Sequence, residues 1–274
     1  MGMELTVNGF PSYAYTGGKL LKPALDAALP AVVFIHGAEI DHSCWALQSR
    51  WFANHGFAVL AVDLPGHGRS AGTPLSSIQD IAAWIIALLD AAGIARAALV
   101  GHSMGSLAAL EAAASFPERI SRIALLGNAT PMPVSKSLLD AARDDPTRAE
   151  AMINAWSHSA HGHIGGNTAP GMWMYGANRR LMARAGRSVL FNDLSACNNY
   201  VQGLENAVRV RCPAMLLCGY RDQMTALKSA RNLAKMLPDA RLQILDGAGH
   251  SMMTEQPDTV LDALRAFLVE APVA

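Results

Sequence analysis

The sequence predicts an α/β fold: a mostly parallel central sheet flanked by helices, with an inserted helical cap. Three observations predict it. Short apolar runs such as Ala31–Ile35 and Ala58–Val62 alternate with helical patterns, which argues for parallel strands buried on both faces. A sharp Gly-x-Ser-x-Gly turn, Gly101-His102-Ser103-Met104-Gly105, sits between one such run and a small-residue helix. From Met132 to Asn206 the alternation stops, leaving helical patterns without a convincing strand.

In chain order, Leu5–Val7 and Tyr13–Tyr15 read as strands joined by a turn at Asn8-Gly9. A mixed connector with Pro23 and Pro30 follows. Strand Ala31–Ile35 leads into His36-Gly37-Ala38-Glu39, and a helix from about Ser43 to His55 ends at Gly56. Strand Ala58–Val62 opens into the turn-rich loop Asp63-Leu64-Pro65-Gly66-His67-Gly68-Arg69-Ser70. A helix is expected over Ile78–Ala92, with Ile81, Ile85, Leu88 and Leu89 on one side and Gly93 as its stop. The strand Ala97–Val100, the Ser103 turn and the helix Leu107–Ser115 come next, and Phe116-Pro117 ends that helix. Ile123–Leu126 is another strand. After the broken segment, alternation returns with strand Ala214–Cys218, helix Thr225–Met236, strand Leu242–Leu245 and helix Asp258–Val269. The expected division is a core of residues 1–131 and 207–274 with a helical cap over 132–206.

Composition narrows the function. The chain has 274 residues, 51% of them hydrophobic, enough for one large α/β domain. Charged residues are 16% and the formal net charge is zero, so there is no basic surface of the kind that holds nucleic acid. Cys44, Cys197, Cys212 and Cys218 form no Cys-x-x-Cys pair, which points to plain buried thiols in a reducing compartment. Met1–Phe10 lacks the pattern of a secretory leader, and no uncharged apolar run is long enough for a membrane helix. A cytoplasmic enzyme with a small-molecule substrate is expected, with no membrane partner; a homodimer is compatible.

The Ser103 turn is the centre of the chemistry. Gly101 and Gly105 leave room for a tight strand-to-helix turn that lifts the hydroxyl to the carboxyl edge of the sheet, where ligands of such sheets bind. A Gly/Ser turn ahead of a helix is the plain alternative, so the other parts must be present. A serine needs a base, and His250, in the glycine-rich loop Asp246-Gly247-Ala248-Gly249-His250 after a late strand, is the candidate. The base needs a carboxylate. Asp222 follows strand Ala214–Cys218, whereas the other strand end, Gly127-Asn128, offers no charge. The order Ser103, Asp222, His250 is that of nucleophile, acid and base in this fold class. An oxyanion hole needs two N–H donors, and the amides of Met104 and Ala38 are expected to supply them. His36, Asp63 and His67 are read as braces of their loops. Glu39, Trp156, Trp173 and Tyr220 are pocket candidates, together with Met172 and Met174; cap packing explains the apolar ones equally well. His161-Gly162-His163 has no third ligand beside it, so no metal and no cofactor is expected.

Together these residues resemble the α/β-hydrolase superfamily: His36-Gly37, the Asp63–Ser70 loop, Gly101–Gly105, Gly219-x-x-Asp222 and Gly249-His250. The resemblance spans nearly the whole chain. It is closest to esterases, carbon–carbon hydrolases and perhydrolase-like members with a helical cap. It implies a Ser103–His250–Asp222 triad and an oxyanion hole from Ala38 and Met104. Epoxide hydrolases and haloalkane dehalogenases carry an aspartate where this chain has Ser103. Many relatives have glycine or proline where this chain has Glu39. The expected activity is hydrolysis of a small or medium ester through an acyl-enzyme. Carbon–carbon cleavage or peracid formation on the same triad is the alternative, for which Arg179, Arg180 and Arg184 could anchor a carboxylate. A low-turnover receptor using the fold as a ligand pocket is a third reading.

Overall fold

A computed structural model describes residues 2–19, 29–163 and 173–269, without the side chains of His161 and His163. The candidate pocket residue Met172, most of the Pro23–Pro30 connector and the His161/His163 side chains therefore lie outside the described residues.

The chain opens with β1 (Gly2–Val7) and β2 (Phe10–Tyr15), an antiparallel hairpin around Asn8-Gly9, both at positive φ as a two-residue turn of this type demands. β3 (Ala31–Ile35) is followed by a 3₁₀ turn, His42–Trp45, and α1 (Ala46–Asn54). Then come β4 (Ala58–Val62), α2 (Ile78–Ala91), β5 (Ala97–His102), α3 (Met104–Ser115) and β6 (Ile120–Leu126). Six helices fill the described part of the stretch between β6 and the next strand: α4 (Lys136–Asp144), α5 (Pro146–Ser157), α6 (Ala160–His163), α7 (Met174–Met182), α8 (Val189–Asn199) and α9 (Gly203–Ala207). The alternation resumes with β7 (Ala214–Gly219), α10 (Leu227–Met236), β8 (Ala240–Leu245), α11 (Met252–Glu255) and α12 (Pro257–Val269).

The eight strands form one sheet in the order β1-β2-β4-β3-β5-β6-β7-β8, antiparallel at β1, β2 and β4 and parallel from β4 to β8. The strands read as unbroken apolar runs because both faces are covered. Val33, Ile35, Leu60, Leu99, Leu125 and Leu216 pack against α2, α3 and α10 on one face. Their neighbours Val32, Phe34, Val59, Val100, Leu126 and Leu217 pack against Trp45, Phe52, Leu264 and Phe267 on the other. Successive strand residues point to opposite faces, so each strand feeds both cores. The helices between β6 and β7 have a small core of their own, built from Leu138, Ala142, Ala149, Leu190 and Leu194.

α3 begins earlier than its composition suggests, at Met104 rather than Leu107, directly after Ser103. It runs through the core with Met104–Ala114 all buried. Glu111, the one charge in that run, accepts from Tyr200 Oη at 2.8 Å and from Asn206 Nδ2 at 2.6 Å, as a buried carboxylate must. The parallel strands all point their carboxyl ends toward one edge, where the loops after β3, β4, β5, β7 and β8 meet.

Candidate active site

Ser103 lies between β5 and α3 with φ 53° and ψ −118°, a conformation that a non-glycine residue rarely holds. The surroundings enforce it. A Cβ on Gly101 would sit 2.1 Å from the carbonyl oxygen of Gly105, and one on Gly105 would sit 2.5 Å from that of Ile35. The backbones of β3, β5 and α3 thus meet with no space for a side chain. The Ser103 N–H donates to the carbonyl of Leu126 at 2.9 Å. Its own carbonyl accepts from Ser106 Oγ at 2.6 Å, and Ser106 Oγ accepts from Asn128 Nδ2 at 2.8 Å. Asn128, set aside above as a candidate acid, therefore braces the turn.

His250 lies in the loop after β8. Its Nδ1 is 2.8 Å from Asp222 Oδ2, and both side chains are buried. Asp222 follows β7 and is oriented by four hydrogen bonds. Oδ1 accepts from the N–H groups of Met224 and Thr225 at 2.7 and 2.9 Å, and Oδ2 also accepts from Thr225 Oγ1 at 2.5 Å. Burial pushes the Asp222 carboxyl up, but the charge and hydrogen bond of His250 and the Thr225 donors hold it below the usual range. An ionised acceptor at Oδ2 fixes a proton on Nδ1 of His250 and leaves Nε2 with a free lone pair. Gly127 (φ +56°) packs against that ring; a Cβ there would lie 2.9 Å from His250 Nδ1.

The loop after β3 passes beside Ser103. His36 donates from Nδ1 to the Gly37 carbonyl (2.7 Å) and accepts at Nε2 from the Leu64 N–H (3.1 Å), so it joins two loops. Burial and the neighbouring His67 depress its pKa to about 4, which keeps the ring neutral. The Ala38 and Met104 amides have no acceptor among the described residues. Met104 is the first residue of α3, where helical N–H groups are unsatisfied and the helix dipole is positive.

Two cavities meet at this point. The larger, about 730 Å³, is lined by Gly37, Ala38, Ser103 and His250 from the sheet edge and by Ile153, Met174, Leu181 and Leu194 from the helical insert. Arg180 and Arg184 also line it. The smaller, about 300 Å³, is lined by Ala38, Ser103, Met132, Leu138, Trp156, Leu194 and Met224. Ala38, Ser103, Leu194 and Met224 border both.

The pocket candidates divide. Trp156 and Met174 line cavities. Trp173 and Tyr220 do not: they are 65% and 58% exposed and contribute to neither wall. Glu39 is buried behind the loop rather than on a cavity wall, at φ 60°. Its Oε2 has no partner among the described residues, and burial, then Glu150 and Asp193, raise its pKa to about 9. Asp41, His42 and Asp63 bring possible ligand atoms within 4.8 Å of one another. All three are engaged in the loops: Asp63 accepts from His42 Nδ1 (2.7 Å) and from the Arg69 N–H (2.9 Å), and Asp41 accepts from Ser43 and Arg184.

Sequence reasoning missed the carboxylates that tie the insert to the core. Asp193 of α8 accepts from the Glu39 N–H and faces His67. Glu255 accepts from the N–H groups of both Gly249 and Ser159. Neither residue sits in a motif, and each partner on the other side is far away in sequence.

The fold and the site define an α/β-hydrolase. A family model described as "Alpha/beta hydrolase family" matches residues 32–263, and the chain belongs to that family. It is 29% identical over 255 residues to a 2-hydroxy-6-oxononadienedioate/2-hydroxy-6-oxononatrienedioate hydrolase of Burkholderia vietnamiensis, covering 87% of this chain and 86% of that one. It is 30% identical over 253 residues to a pimeloyl-[acyl-carrier protein] methyl ester esterase of Chromobacterium violaceum, covering 87% and 94%. The enol-lactonase from Burkholderia xenovorans LB400 has the same fold, with a TM-score of 0.85, 24% identity and coverage of 98% and 100%. Among the described residues no helix is long and apolar enough to cross a membrane.

Proposed function

We propose that the protein hydrolyses a small or medium carboxylic ester through an acyl-enzyme on Ser103. The observation that carries this reading is the meeting of a constrained Ser103 with an Asp222-bound His250 on the wall of one mainly apolar cavity. Ser103 Oγ attacks the ester carbonyl carbon while His250 Nε2 takes its proton. The carbonyl electrons move to oxygen, and the oxyanion accepts from the Ala38 and Met104 amides. Collapse breaks the bond to the alcohol, which leaves with the proton from His250. Water then gives its proton to Nε2, attacks the acyl carbon and frees the acid and Ser103. Helices α4–α9, the described part of residues 132–206, act as the cap that walls this reaction from solvent. Four unpaired thiols suit a cytoplasmic setting.

Hydrolysis of p-nitrophenyl esters of graded acyl length, wild type beside Ser103→Ala, tests the proposal. Steady turnover that vanishes in the variant supports it; equal turnover in both overturns it. Arg180 and Arg184 at the larger cavity favour a second reading, cleavage of a carbon–carbon bond in a carboxylate-bearing diketone on the same triad. Turnover of 2-hydroxy-6-oxononadienedioate, the compound in the name of the Burkholderia vietnamiensis relative, with none of the simple esters would move the assignment there.

A further inference from the structure

We infer that Asp193 is a positioning residue for the oxyanion loop, so that seating of the cap helix α8 and alignment of the Ala38 amide are one event. The inference rests on the acyl-transfer reading of Ser103 above. Asp193 is 1% exposed, and its Oδ2 accepts two hydrogen bonds from the core. One comes from the Glu39 N–H at 2.9 Å, the amide directly after Ala38; the other faces His67 Nε2 at 2.8 Å. Glu39 holds a left-handed φ of 60°, and its Oε2 has no hydrogen-bond partner among the described residues. The bond from its amide to Asp193 ties that turn to α8. Leu194, the next residue on α8, lines both cavities beside Ser103. The same turn of helix therefore closes the pocket and fixes the loop.

The second partner makes the device sensitive to protonation. His67 Nδ1 is 3.0 Å from the Pro65 carbonyl and Nε2 faces Asp193, so both ring nitrogens face acceptors. The ring satisfies both only as imidazolium. The groups around it are Asp193 from α8, Asp63 from its own loop, and His36 from the loop after β3, with ring centroids 4.9 Å apart. Burial lowers the His67 pKa, but the Asp193 carboxylate outweighs it, so the value lies above the ordinary one. A raised histidine pKa stabilises the clamp at low pH and loses that contribution as pH rises through the folded value. Reactivity then declines on the alkaline side.

The test is the second-order rate at which a fluorophosphonate labels Ser103, which uses the same two amides and requires no knowledge of the natural substrate. In Asp193→Asn this rate should fall by about 10-fold or more per folded molecule, since small displacements of an oxyanion donor are costly. Its alkaline decline should begin at lower pH. In a Glu39→Gln background, which removes the other group of this turn that titrates at alkaline pH, His67→Gln, which donates to Asp193 at any pH, should abolish the alkaline decline. An Asp193→Asn protein that labels at the wild-type rate with the wild-type pH profile overturns the inference. So does an unchanged alkaline decline on adding His67→Gln to that background, which covers the case where the Asp193 variant does not fold. A wild type that never labels defeats the reading of Ser103 instead.

Discussion

His102 Nε2 donates to the backbone carbonyl of His250 at 3.0 Å, so the residue before the proposed nucleophile holds the chain that carries the proposed base. The rings tilt against each other with centroids 4.6 Å apart. Burial, and then the nearby His250, depress the His102 pKa to about 3, so the ring stays neutral and keeps its single donor on Nε2. His102→Leu removes that donor and leaves a buried carbonyl unpaired, a loss of about 1–3 kcal/mol in stability. The ester kcat should drop by about 10-fold as the base drifts. Urea unfolding read beside steady-state kinetics checks both. The depressed histidines also set an acid limit. His102 and His36 are neutral when folded and bind protons when unfolded below their ordinary value of 6.5. Stability should therefore fall as pH drops from about 6.5 toward 4, by on the order of 1 kcal/mol per pH unit for each ring.

Asp222→Asn should keep the fold and lose most of the activity. The amide oxygen can still accept from the Met224 and Thr225 N–H groups that orient the carboxylate. It cannot hold both a proton on His250 Nδ1 and a charge beside it, so the tautomer with a basic Nε2 is no longer enforced. A fall in kcat of about 10³–10⁴ is expected, with little change in KM or melting temperature. A fall under tenfold in kcat would mean that His250 is oriented by something other than Asp222.

Much of this was legible because buried parallel strands leave a plain trace. Ala31–Ile35 and Ala58–Val62 coincide with β3 and β4, since a strand covered on both faces has no polar position to blur its ends. The placement of Ser103, Asp222 and His250 at one edge was legible because each follows a strand end, and parallel strands gather such ends together. The pocket was less legible. Tyr220 is near Asp222 in sequence yet faces solvent, because proximity along a loop says nothing of side-chain direction. Asp193 and Glu255 were invisible for a different reason. Their hydrogen bonds span 154 and 96 residues, and a carboxylate bonding to a backbone N–H needs no particular side chain opposite it.

Glu39→Gln should stabilise the protein at neutral and alkaline pH. Its folded pKa is raised to about 9 from 4.5, so the folded state favours the protonated acid. That preference is harmless below the unfolded value and costs stability increasingly as pH rises from 4.5 toward 9. The amide keeps the volume and has no proton to lose. A gain of about 1 kcal/mol or more at pH 8, shrinking to nothing near pH 4, is expected from melting curves at the two pH values.

Two glycines separate backbone strain from lack of space. Gly93 has φ +68° with nothing within 4 Å of an added Cβ, so Gly93→Ala should cost only the left-handed backbone penalty, about 1 kcal/mol. Gly105 has an ordinary helical backbone, but its Cβ would lie 2.5 and 2.6 Å from the carbonyl oxygens of Ile35 and His36. Gly105→Ala must push α3 away from β3 and should cost about 3 kcal/mol or more, with loss of fluorophosphonate labelling. Equal costs at the two sites would mean that the crowding at the nucleophile turn is relieved by a small backbone shift.

Trp156 tests which part of an ester each cavity takes. It lines the smaller cavity and not the larger, and the two share Ala38, Ser103, Leu194 and Met224. On the proposed mechanism an ester carbonyl sits between Ser103 and the amides of Ala38 and Met104, which places its acyl chain in one cavity and its alcohol in the other. Trp156→Ala enlarges the smaller cavity alone. Of two series, p-nitrophenyl esters of lengthening acids and acetates of lengthening alcohols, only one should shift its optimum to longer chains. A gain of about 10-fold in kcat/KM for the favoured longer member is reasonable, since each buried methylene is worth about 0.8 kcal/mol. If both series shift together, the cavities act as one space and the division at Leu194 does not survive substrate binding.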